Sequence, residues 1–132
     1  MSYAVYKVLH LLGVMALLFS LGGMTLQALA GAPRATGEGQ PPAPGPGRGL
    51  LSALHGVGML LLLVAGFGAL AKLGAMQGGL PGWVWGKLVV WLLLGGAPAL
   101  IKRKPELGVA LCLALPLLGG LAAFLAVVKP GT

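Results

Sequence analysis

Acidic side chains are almost missing from this chain: Glu38 and Glu106 stand alone against nine lysines and arginines in 132 residues. Charged residues of both signs reach only 8%, whereas a soluble domain carries about 25%. So thin a coat cannot keep a chain that is 58% apolar in water. Cysteine occurs once, at Cys112, which excludes a disulfide scaffold within the chain. Site chemistry is equally scarce. There is no phosphate loop, no carboxylate pair, no nucleophile triad and no zinc spacing, so neither a catalytic nor a metal site is expected. The net charge of +7 does not point to nucleic acid either. The basic residues stand singly or in one short run between apolar stretches, as membrane-flanking charges do.

What the sequence does contain is long apolar runs. They cover residues 8–32, 49–71, 80–101 (with the single charge Lys87) and 107–128. Each is close to or above the ~20 residues that cross a ~30 Å hydrocarbon layer as a helix. In lipid the backbone must satisfy its own hydrogen bonds, and none of the runs alternates at period two as a barrel strand would. Helices are therefore expected at about 4–32, 49–72, 81–101 and 106–128. They form one domain, an all-α antiparallel up-down bundle of four transmembrane helices. The stretch 33–48, PRATGEGQPPAPGPGR, holds five of the ten prolines and reads as a flexible loop. Pro105 suits the first turn of the fourth helix, and Pro98 and Pro116 should bend helices three and four.

Lys7, the apolar run after it and Ala28-Leu29-Ala30 imitate a secretory signal with its cleavage site. The run is longer than a signal core and carries His10, so a retained membrane helix is expected. The compact Lys102-Arg103-Lys104 run is the hardest to translocate, which puts loops 33–48 and 102–106 in the cytoplasm and both termini outside. Tyr3, Tyr6, Trp83 and Trp85 would then form an outer aromatic belt.

Candidate ligands follow from spacing. Tyr3, Tyr6, His10, Gly13, Leu17, Ser20, Met24 and Gln27 recur at steps of three and four, which turns one face of the first helix toward the bundle. His10 can then bond a neighbouring helix, ligate haem iron or relay a proton. His55 lies on a face with Ser52, Gly56, Met59 and Gly66, where small residues let a helix or a flat ring approach. The helical rise sets the two histidines roughly 20 Å apart along the membrane normal. Axial ligands of one haem lie about 4 Å apart, so any sites are separate. Near the outer edge His10 has Tyr3, Tyr6 and Lys87 at its depth, with Trp83 and Trp91 one turn to either side of Lys87. Near the inner edge His55 has Met24, Met59 and Cys112, whose carbonyl Pro116 leaves unbonded. Thioether and thiol ligands suit haem or soft metals, although Met at helical spacing mostly packs.

Lys87 is the sharpest single signal. A lysine in a membrane helix is costly, and no apolar run offers a carboxylate to pair with it. It either snorkels to the headgroups or meets an anion from outside the chain, such as a lipid phosphate, a haem propionate or a quinone oxygen. The missing carboxylates also weaken a proton- or sodium-coupled transporter.

The chain resembles the SirB family of small four-helix bacterial membrane proteins. The likeness is carried by Tyr6-Lys7-Val8-Leu9-His10, Leu54-His55, Gly82-Trp83, Lys87 and the basic turn Lys102-Arg103-Lys104. It covers most of the chain outside the Pro/Gly loop and implies a bacterial inner-membrane bundle. A more distant similarity is to the HemJ family of haem-containing membrane proteins, which also place a histidine near the start of a membrane helix. Two function classes follow. One is a non-enzymatic accessory or structural subunit that packs against itself or a larger membrane complex. The other is a b-type haem or porphyrin protein using His10 or His55 as ligand and Lys87 for a propionate, with Met24, Cys112 and Tyr6 as lesser candidates. A small-solute transporter or channel is a third expectation, with Lys87 in its path.

Overall fold

A computed structural model describes residues 1–31 and 47–130. The stretch read as a loop over 33–48 lies outside the described residues, apart from its last two. Four helices build the described part: α1 (Tyr3–Gly31), α2 (Arg48–Lys72), α3 (Gly82–Arg103) and α4 (Gly108–Val128). No strand occurs among the described residues. All four helices are long and apolar enough to cross a bilayer. They run alternately up and down, so the described ends of the chain lie at one end of the bundle, together with the α2–α3 turn.

Local chemistry sets the boundaries. α2 stops where Gly74 takes φ +64°; the Gly74 amide then reaches the Ala71 carbonyl and the Ala75 amide the Leu70 carbonyl. That is the left-handed C-terminal cap for which glycine carries no Cβ penalty. Pro81 precedes α3 with an extended backbone, as a residue lacking an amide should. Pro105 differs from its expected place in the fourth helix. It opens a 3-10 turn, Pro105–Leu107, and α4 begins only at Gly108.

α1 and α2 pack along most of their length, α3 pairs with α4, and α1 also touches both α3 and α4. The core lies mainly toward the loop end that carries Lys104. It gathers Leu17, Leu21 and Met24 of α1, Leu62 of α2, Leu94 and Ile101 of α3, and Leu111 and Leu115 of α4. Ser20 and Thr25 sit fully buried in it, and each hydroxyl donates to a carbonyl of its own helix, Leu17 at 2.8 Å and Leu21 at 2.7 Å. That back-bonding leaves no hydroxyl unpaired in an apolar interior. The inward stripe expected on α1 is present through Gly13, Leu17, Ser20 and Met24. A smaller cluster, Leu70, Trp83 and Val84, caps the opposite end. Outward faces are apolar throughout, with Phe19, Leu60, Leu92, Leu113 and Leu117 exposed. Such a surface is what a lipid-facing bundle presents.

Candidate functional site

Between the core and the small cluster at the turn end lies a cavity of about 530 Å³ with walls from all four helices. Its position follows from the α1–α2 contact. A Cβ on Gly13 would lie 3.0 Å from the Leu62 amide nitrogen and 3.1 Å from the Gly58 carbonyl; one on Gly58 would lie 3.1 Å from the Gly13 carbonyl. Two glycines thus bring the helix backbones together, as small residues do in lipid. The His10 ring lies against Leu62 and Gly66 of α2, at the edge of the cavity.

His10 lines the cavity, half-buried, and its Nδ1 lies 3.0 Å from the Leu62 carbonyl oxygen. With Nδ1–H donating to that carbonyl, Nε2 is left as the ring's acceptor nitrogen. One turn deeper, Trp91 Nε1–H donates to the Met59 carbonyl at 3.1 Å. Two carbonyls of α2 therefore fix an imidazole from α1 and an indole from α3. Lys87 lines the same cavity. Its Nζ stands 6.0 Å from the centre of the Trp83 ring, and Lys129 Nζ stands 5.7 Å from the same centre. Both ammoniums are within cation–π reach of one buried indole. Lys7 completes the cationic rim. Among the described residues the sole acidic side chain is Glu106, at the opposite end of the bundle. The deeper wall, at Leu17, Leu62, Leu94, Gly119 and Ala122, is wholly apolar.

Of the expected site residues, the structure unites His10 and Lys87 and separates the others. Tyr6 packs against Gly68 of α2 rather than lining the cavity. Trp83 leaves the expected aromatic belt because it is buried beneath the two lysines; Trp85 is exposed as a belt residue should be. The inner grouping does not assemble. Cys112 is exposed on the outer face of α4, turned away from the core that α4 builds with Leu111 and Leu115, so it cannot meet Met24 or His55. Met24 is core packing. His55 is buried beside the Gly95 backbone, yet neither ring nitrogen makes a hydrogen bond of acceptable geometry. His10 lies level with residues 62–66 of α2, about nine residues from His55, so the two rings are about 13 Å apart along the axis. That is shorter than the sequence suggested, and still far too long for one shared ligand. No grouping of three or more metal-ligating side chains exists among the described residues.

Lys7 and Lys129 were legible only as flanking charges. Their shared signal was antiparallel packing, which returns the end of α4 to the start of α1. Fold and cavity together define a small polytopic membrane protein of four helices. No family model, no curated protein and no solved structure matches the chain.

Proposed function

We propose that this protein is a non-enzymatic membrane binding subunit whose ligand is an amphipathic anion held in the cavity at the end that carries the termini. The observation that supports it is the distribution of charge around that cavity. Lys7, Lys87 and His10 line an apolar cavity, while the one acidic side chain among the described residues, Glu106, lies at the other end. The half-buried ammonium of Lys87 attracts an anion, and the apolar walls favour hydrocarbon behind it. An accessory role in a larger membrane assembly or a homo-oligomer agrees with the lack of paired acid and base groups. The Lys102–Lys104 run supports an orientation with both termini in the periplasm of a bacterial inner membrane. The SirB-like reading belongs to the same proposal and rests on the short motifs around His10, His55 and Lys87.

The test uses anilinonaphthalene sulfonate, an amphipathic anion, and phenylnaphthylamine, its uncharged analogue, on the full chain in phosphatidylcholine nanodiscs. The sulfonate should bind saturably at one site, with energy transfer from tryptophan, and Lys87→Met should weaken it about ten-fold. The uncharged analogue should respond little to that change. A linear, unsaturable signal equal in both proteins would defeat the proposal.

A second reading is favoured by His10 itself. Nδ1–H donated to a backbone carbonyl is the arrangement that orients metal-binding histidines, and the lysines suit propionates. Haem b therefore fits the residues present: His10 Nε2 would hold its iron and Lys87 would pair with a propionate. A Soret band in protein expressed with haem precursor, lost in His10→Ala and kept in His55→Ala, would support it. A colourless protein would end it. Transport with Lys87 in the path is the weakest reading, since the deeper wall at Leu17 and Leu94 offers a polar solute no partner.

A further inference from the structure

We propose that the occupant of the cavity is an acyl chain carrying an anionic head group, supplied by a free fatty acid or by one chain of an anionic phospholipid. This rests on the amphipathic-anion reading above and narrows its ligand class.

The shape of the cavity carries the inference. On α3 it runs from Trp83 to Leu94, about 16 Å along the axis at the helical rise. Its direction is that of the helices, and so that of lipid tails. The contact of Gly13 with Gly58 closes the α1–α2 side to backbone distance. Polar capacity ends near the mouth. His10 Nδ1 is taken by Leu62 and Trp91 Nε1 by Met59, and below them the lining is leucine, alanine and glycine. A ligand there must need no hydrogen bonds, which describes a hydrocarbon tail. At the mouth, Lys87 over Trp83, with Lys7 on the rim, offers an ammonium donor to a carboxylate or phosphate.

The bottom of the shaft gives a handle independent of the lysines. A Cβ on Gly119 would make only ordinary contacts, 3.7–3.9 Å, with the methyls of Leu18. Gly119→Leu adds bulk to the apolar wall that would hold the end of a long tail, and its helical circular dichroism and thermal unfolding are compared with the parent before binding is read. The assay is displacement of bound anilinonaphthalene sulfonate from the full chain in phosphatidylcholine nanodiscs. Hexadecanoate, or phosphatidylglycerol blended into the disc, should displace it saturably; hexadecanol, with the same tail and no charge, should not. Displacement by hexadecanoate alone assigns the free acid, and displacement by phosphatidylglycerol alone assigns the lipid. Gly119→Leu should weaken hexadecanoate about ten-fold and leave octanoate within about two-fold. Three results would overturn the inference while sparing the broader reading: equal displacement by hexadecanol, a bound sulfonate that no acyl anion displaces, or equal losses for the short and long acids in Gly119→Leu. Absence of saturable sulfonate binding would overturn both.

Discussion

Gly13 and Gly58 decide how near α1 and α2 can come, because each would put a Cβ against the other helix's backbone. A backbone cannot yield as a side chain can. Gly13→Ala and Gly58→Ala should therefore each destabilise the folded protein by about 1–3 kcal/mol, read as a shift in reversible unfolding in mixed micelles. Gly56→Ala is the control, since nothing lies within 4 Å of its added carbon, and it should be neutral or slightly stabilising. GxxxG spacing does not single out this pair: Gly74–Gly78 lies in a turn, and in Gly82–Gly86 the second glycine meets only a leucine side chain. With 24 glycines in the chain, spacing alone cannot pick the pair that touches; that choice depends on the register between helices. His10 and Lys87 were legible because a polar residue in an apolar run must be satisfied somewhere. The burial of Trp83 was not, since a tryptophan at a helix start serves an interface or an interior equally well.

The helices were legible with their ends displaced by only a residue or two, because long uncharged runs have one stable backbone state in lipid. How they pair was not, since the lipid-facing and helix-facing sides of α2, α3 and α4 are both largely apolar. The observed pattern is two hairpins, α1 with α2 and α3 with α4, joined through the turn at Gly78 and Gly79, whose φ values of +95° and +103° suit glycine. The contact between the hairpins is anchored by Trp91 on the Met59 carbonyl. Helices that insert independently and then associate do not need that turn. Co-expressed fragments 1–78 and 79–132 should thus co-purify from mild detergent. Adding Trp91→Phe should weaken their association by about 0.6 kcal/mol. Fragments that never associate would show that the hairpins depend on their covalent link.

At the scale of the whole molecule, charge is segregated: one end holds three lysines around an apolar shaft, and the other holds the Lys102–Lys104 run with Glu106. The cavity exists because antiparallel helices return Lys129 to the level of Lys7. Every site statement therefore depends on the chain crossing the bilayer four times. Cysteine accessibility in sealed vesicles tests that most directly. Single cysteines are placed at Ser2, Gly78 and Lys104 in a Cys112→Ala background, and the native Cys112 serves as the reporter of the lipid face. A four-crossing chain presents Ser2→Cys and Gly78→Cys to an impermeant maleimide on one side and Lys104→Cys on the other. Cys112 should react only with a bilayer-soluble maleimide. Labelling of all three positions from one side, or of Cys112 by the impermeant reagent in the folded protein, would contradict the account.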